Sequence, residues 1–377
     1  MKERQKGFDL GWVSDSRNEI YGFAILWIMV FHGYDWNKFN YSFGHTWLLP
    51  LRSFINLGNC GVELFLLLSG ISLYFSFAKR QETLGFYKKR YLRLFPALWI
   101  INGGYWFYLF MKDVLEKGID VVHAGGHLFM RATQLSFWFG NDRQAWYVAA
   151  IAIFYFMYPF VYHFLFDDAK KTGRRVALLV AFSIVALLSA SVTYPDMYKR
   201  FEIAATRFPI FFIGCGMGKL VYERRKISWA WLALPVAIIA GTLVLCQLGY
   251  IRWGEVGPQD VANLKQWMTG KAVWRYFLGL FGFSVTFLVG MLLHFLSWKP
   301  LHAFLKFFGN MSLELYLAHT MLYHVARQDF LWGNNGHFTF AQYYAVVLAA
   351  IPLSFVTMKI EDAIMRKKPK KETLPAA

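Results

Sequence analysis

The side chains that could do chemistry stand in or beside long apolar runs, where an ionisable group costs several kcal/mol unless it is paired or hydrated. His32 closes the run Tyr21-Gly22-Phe23-Ala24-Ile25-Leu26-Trp27-Ile28-Met29-Val30-Phe31. Imidazole titrates near neutral pH and accepts a hydroxyl proton, so His32 reads as a general base. It reads equally as an interfacial histidine anchoring a helix end. Glu63 and Ser69-Gly70 share a second run, Asn59 to Gly70, in which Ser-Gly permits close helix approach. Lys88, Lys89, Arg90 and Arg93 precede Pro96. Arg90 and Arg93 are spaced i, i+3, lie on one helix face, and suit a phosphate through forked, charge-assisted hydrogen bonds. The plainer reading of this cluster is a basic stop signal at a membrane boundary. Glu314 and His319 lie in a late run, His319 as a second acid/base or as a packing histidine.

The elements that must position these residues are membrane helices. Hydrophobic residues make up 57% of the 377-residue chain and charged residues only 17%, against about 45–50% and 25% in soluble domains. The surplus sits in blocks long enough to cross a hydrocarbon core about 30 Å thick. Ten spans are expected, at 20–37, 60–78, 91–111, 146–166, 175–192, 207–222, 228–248, 273–297, 308–327 and 341–360. The sixth is short and glycine-rich, which suits a helix buried among others or a partly re-entrant one. The apolar stretch 127–139 is too short to span and is expected along the surface or re-entrant.

The net charge of +17 is carried in short clusters between apolar blocks, a pattern that orients membrane proteins rather than binding nucleic acid. With the N-terminus inside, the inner loops hold roughly twice as many Lys and Arg as the outer ones. Both termini then lie inside. The expected fold is an all-α polytopic bundle, N-in/C-in, with an N-terminal segment 1–19, a membrane domain 20–360 and a basic tail 361–377 that meets anionic lipid headgroups. Cys60, Cys215 and Cys246 form no CxxC pair, so neither a disulfide framework nor a metal site is expected. The polar first residues carry no signal-peptide pattern, and the first span is expected to direct insertion. On that span Asn18, Tyr21, Ile25, Ile28 and His32 share one face. Arg17, about 22 Å below His32 and some 60° away, reaches that face only by bending its side chain.

Six strings in order resemble the acyltransferase-3 family of integral membrane O-acyltransferases. They are Phe31-His32; Gly61-Val62-Glu63 with Ser69-Gly70; Arg90-x-x-Arg93-x-x-Pro96; Trp146-Tyr147 with Phe154-Tyr155 and Pro159; Arg207-Phe208-Pro209 with Phe212 and Gly214; and Gly309-x-x-Ser312 with Tyr316-Leu317-x-His319. The resemblance spans essentially the whole chain. It implies transfer of an acyl group, commonly acetyl, from acetyl-CoA or another acyl-CoA to a hydroxyl of a cell-surface or lipid-linked carbohydrate, at a bacterial inner or plasma membrane. It implies His32 as base, with Arg90 and Arg93, helped by Lys88 and Lys89, on the coenzyme A phosphates. Two positions depart from the pattern. Tyr21 stands where the family usually has arginine, and Ile151 where a glutamate is frequent. Arg17, Asn18 or Tyr21 then orients the base, and Glu63 or Glu314 supplies the carboxylate. Two rivals share these features: a transporter or flippase of glycan or lipid-linked intermediates, and a catalytically silent relative.

Overall fold

The computed structural model describes residues 7–37, 49–140, 142–248, 264–328 and 338–366, and the basic run 367–371 lies outside them. A helix stands at every expected span. In chain order the first helices are α1 (Trp12–Asp15), α2 (Arg17–Asn37), α3 (Leu49–Asn56), α4 (Gly61–Phe77), α5 (Thr83–Leu115), α6 (Val121–Ala132), α7 (Leu135–Phe139) and α8 (Trp146–Phe166). There follow α9 (Thr172–Thr193), α10 (Pro195–Ala205), α11 (Phe208–Tyr222), α12 (Ala233–Gln247), α13 (Leu264–Phe295), α14 (Lys299–Asn310), α15 (Ser312–Gln328) and α16 (Phe340–Arg366). Eight helical stretches among the described residues are long and apolar enough to cross a membrane. The chain is an all-α polytopic membrane bundle.

Helix α4 is its axis. Its sequence is apolar all round, with Leu64, Leu66, Leu67 and Leu68 fully enclosed, and such a helix must be buried on every face. Helices α9 and α12 turn most of their apolar surface outward, with 11% of each apolar window buried against 83% for the stretch containing α4. Lipid is the solvent for those outward faces.

The glycine-rich α11 packs along α4. A Cβ at Gly214 would run into the Leu67 carbonyl, and one at Gly70 would meet the backbone of Phe211 and Cys215. The sixth span is therefore a buried helix, and small residues let the two backbones touch. Gly22 and Gly309 do the same where α2 crosses α14, each lying against backbone carbonyls of the other helix.

One helix end departs from the sequence expectation. Helix α5 begins eight residues before its expected span, and Phe86 seats this extension in the bundle against Phe77 and Tyr158. At 33 residues it is about 50 Å long, more than the core requires. The stretch 127–139 falls on two short helices, α6 and α7, separated by Gln134 at φ 63°. Helix α6 is capped by Asp120, which accepts from the backbone N–H groups of Val122 and His123, and it leaves Val121, Val122 and Phe129 exposed. A two-stranded sheet pairs β1 (Gly7–Asp9) antiparallel with β2 (Lys226–Ser228). Arg224 clamps it with Asp9 and Asp15.

Candidate active site

The bundle has a proximal end, at which α2 begins, and an opposite, distal end. At the distal end α2 and α15 bring two histidines together. His32 Nδ1 lies 3.0 Å from His319 Nε2, and His319 Nδ1 lies 2.7 Å from the Leu315 carbonyl oxygen. That carbonyl can only accept, so His319 carries its proton on Nδ1 and its Nε2 is a bare acceptor. His32 must then donate from Nδ1, which leaves the lone pair on its own Nε2. The chain of bonds therefore sets His32 in the tautomer a general base needs. The Trp36 ring stacks on His32 at 3.8 Å and 14°, restraining the imidazole plane. Asn37 Oδ1 accepts from Tyr323 Oη and from the Phe338 backbone N–H, and Tyr343 Oη donates to the Met29 carbonyl. These bonds fix α2, α15 and α16 to one another around the pair.

An aromatic path leads from this pair toward the proximal end. Tyr316 lies edge-on to His319 and to Tyr147. Tyr147 meets Phe65, and Phe65 stacks on Tyr21 with centroids 5.2 Å apart. His32, Tyr21, Tyr147 and Tyr155 all keep part of their surface accessible although they sit inside the bundle. Beside the pair, the Tyr316 hydroxyl donates to the Gln144 carbonyl. Gln144 also lines a distal cleft of about 460 Å³ together with His127, Arg131, Asp142 and His324.

The carboxylates are engaged elsewhere. Glu63 binds Arg207 at 2.8 Å, and both are almost wholly buried. The Arg207 guanidinium sits 4.8 Å over the Trp146 ring and donates to the Ile203 carbonyl. A second buried pair, Arg275 and Glu202, lies nearby at 2.5 Å, with Arg143 at 3.8 Å from the same glutamate. At the proximal end Arg93 bridges two buried acids, Glu314 at 3.1 Å and Glu361 at 2.9 Å. Arg17 donates to Ser72 and Arg90 to Ser76, while Asn18 bonds the Asn310 side chain at 2.8 Å. Lys88 and Lys89 are exposed. Among the described residues no cluster of His, Cys, Asp and Glu is placed to hold a metal ion.

A family profile described as an acyltransferase domain matches residues 22–359 of this chain. The chain belongs to the acyltransferase-3 family. It is also 24% identical over 275 residues to nodulation protein 10 of Rhizobium leguminosarum bv. viciae, a match covering 64% of this chain and 70% of that protein. No solved structure matches it. The protein is thus an integral membrane acyltransferase, and its geometry can be read for that chemistry.

Of the residues singled out in the sequence, the fold joins His32 to His319 and places Tyr21 on the path below them. It puts Arg17 and Asn18 at the proximal start of α2, about 20 Å from His32 along the helix axis, and Glu63 and Glu314 opposite arginines instead of histidines. Arg207, Arg275, Glu202, Trp36 and Tyr316 belong to the site or its frame without having been singled out as candidates. Arg207 and Arg275 carried the same signal as Glu63, a charge inside an expected span. Tyr316 stood in the last of the six family-like strings without a role of its own, and Trp36 carried no signal, since an aromatic in an apolar helix is ordinary core.

Proposed function

We propose that this acyltransferase moves an acyl group, acetyl in the simplest case, from coenzyme A to a carbohydrate hydroxyl. The proximal end, with Lys88, Lys89 and Arg90, faces the cytoplasm and the phosphorylated donor. The distal cleft faces outward and receives a cell-envelope or lipid-linked glycan. The observation that carries the reading is the His32–His319 hydrogen bond, which leaves one imidazole lone pair available within the membrane-embedded bundle.

The acceptor hydroxyl gives its proton to His32 Nε2 as its oxygen bonds to the thioester carbonyl carbon. The tetrahedral intermediate collapses by breaking the carbon–sulfur bond. The imidazolium returns its proton to the departing thiolate, so ester and free coenzyme A leave and the enzyme is restored. Throughout, His32 Nδ1–H stays donated to His319, which disperses the transient positive charge. His319 is a positioning residue in this scheme. The ion pair Glu63–Arg207 ties α4, which carries Phe65 of the aromatic path, to the start of α11, and Arg275–Glu202 joins α13 to α10.

The test uses protein in nanodiscs with labelled acetyl-CoA and mixed cell-envelope glycans. Wild type is expected to release free thiol and to place label on carbohydrate. His32→Ala is expected to lose both by about 10²–10⁴ while eluting like wild type. Equal rates in the two proteins, or no coenzyme A-dependent labelling by wild type, would overturn the reading.

A further inference from the structure

Four arginines and lysines near Pro96 suggest the donor's phosphates bind there, but the partners of these side chains divide them sharply. Arg93 is held between the buried carboxyl groups of Glu314 and Glu361, so its charge is already matched. Arg17 and Arg90 are different. Among the described residues neither faces a carboxylate, and each gives one N–H to a serine hydroxyl of α4. Ser72 and Ser76 are spaced i, i+4 and so stand on one face. Each serine donates its own proton back to a helix carbonyl, Ser72 to Leu68 and Ser76 to Leu73, so its oxygen is left to accept from the guanidinium. Two cations from separate helices, α2 and α5, are thereby aimed at one stripe of α4.

Both guanidiniums are incompletely satisfied. The Nε–H of Arg17 and the Nε–H of Arg90 are buried without an acceptor, a state that costs free energy until an acceptor arrives. The neighbouring acids are committed elsewhere: Asp15 to Arg224, Glu19 to His302 and Lys306, Glu314 and Glu361 to Arg93. The stripe continues to Ser69, which faces the Tyr147 hydroxyl on the path to the histidine pair.

We infer that Arg17 and Arg90, aimed by Ser72 and Ser76, form the phosphate site of the acyl donor, and that Arg93 is a strut joining α5 to α15 and α16. This rests on the coenzyme A reading and adds to it a ligand, Arg17, on the same helix as His32. The pantetheine arm then runs along α2 and the serine stripe toward the acyl-transfer point.

The experiment titrates coenzyme A, and separately inorganic pyrophosphate, into the full-length protein in phosphatidylcholine nanodiscs. Arg17→Gln and Arg90→Gln are each expected to raise the coenzyme A Kd by about tenfold or more, the worth of one charge-assisted hydrogen bond, and to abolish competition by pyrophosphate. Arg93→Gln is expected to lower the melting temperature and leave the Kd close to wild type. Ser72→Ala and Ser76→Ala keep both charges and serve where an arginine variant does not fold; each is expected to weaken coenzyme A binding measurably. Unchanged affinity in well-folded Arg17→Gln or in both serine variants, or a dominant loss in Arg93→Gln, overturns the assignment. Pyrophosphate binding that depends on Arg17 and Arg90, with no coenzyme A binding by wild type, keeps the anion site and defeats the donor reading. Adding phosphatidylglycerol to the discs separates the remaining source of phosphate. If it displaces pyrophosphate from wild type while coenzyme A does not, the site holds a lipid headgroup and the donor assignment falls.

Discussion

Replacing His319 by alanine removes the acceptor of the His32 Nδ1–H and leaves every residue of the proximal end in place. The donor nitrogen, 3.0 Å from its partner, is then unpaired among Trp36, Tyr316 and Tyr323. Leaving a buried donor unsatisfied costs about 1–3 kcal/mol. Moving the proton to Nε2 avoids that cost but removes the lone pair that takes the hydroxyl proton. Either way the productive state is disfavoured, and kcat should fall by about 5- to 150-fold. The Michaelis constant for the donor should hold, because the proposed phosphate site lies near the proximal end. Loss of the proposed base in His32→Ala is expected to be larger, about 10²–10⁴. His319→Gln separates this account from a packing role, since a glutamine amide oxygen can reach the position of Nε2 and accept the same bond. The assay is the initial rate of thiol release at saturating acetyl-CoA in nanodiscs, with kcat and the donor Michaelis constant read separately. Wild-type kcat in His319→Ala would refute the tautomer argument, and so would a glutamine variant as impaired as the alanine. A deeper loss in His319→Ala than in His32→Ala would reverse the roles and make His319 the base.

Two further outcomes follow from the frame. Glu63→Gln leaves Arg207 buried with its partner's charge gone, which costs about 3–5 kcal/mol; melting followed by size-exclusion fluorescence should show a large drop, substantially recovered in the Glu63→Leu/Arg207→Met double variant. On α14, outside the expected spans, His302 faces an acceptor with each ring nitrogen, Glu19 at 3.1 Å and the Leu296 carbonyl at 2.7 Å, and the bond to Glu19 raises its pKa above the usual histidine range. A raised folded pKa means stability that is complete below the unfolded value of about 6.5 and lost as pH climbs through the folded value. His302→Gln should therefore flatten the fall in melting temperature above pH 6.5, and a slope identical to wild type would show that the Glu19 bond does not couple to folding.

Much of the architecture was legible because hydropathy acts over whole helices. Twenty apolar residues in a row have few other destinations, and each expected span coincides with a helix. Element ends were less legible: residues 83–90 form no apolar run, yet they extend α5, with Phe86 seated against Phe77 and Tyr158 by contacts that hydropathy does not register. Pairings were not legible at all. His32 and His319 are 287 positions apart, and Arg93 meets Glu361 across 268. Nothing in a single sequence marks such partners, because they are set by how α2, α5, α15 and α16 lean on one another. The i, i+3 spacing of Arg90 and Arg93 illustrates the limit. It correctly put both on one helix with shared orientation, yet one turns to Ser76 and the other to two acids, since each guanidinium follows its own neighbours.

The helices that supply His32 and His319, α2 and α15, are not among the eight apolar stretches, and α15, at 17 residues, is short as well as polar. Their deficit has a physical cause. Asp35 and Asn37 follow His32 on α2, and α15 carries Glu314, His319, Thr320 and His324 within 17 residues. Polar groups at such depth survive only where the surrounding helices satisfy them or where water and ligand reach them. The first condition is met in part for Asn37, whose Oδ1 accepts from Tyr323 and Phe338 while its Nδ2 is buried without an acceptor among the described residues, and in part for Glu314 through the ion pair with Arg93. It is met for one nitrogen of His32 and, on the same bonds, for both nitrogens of His319. A histidine kept only for packing would gain from an apolar replacement, as buried polar pairs frequently do. Two costly helices, held together at the imidazoles by one bond with defined proton positions, make better physical sense as the place where a proton has to move.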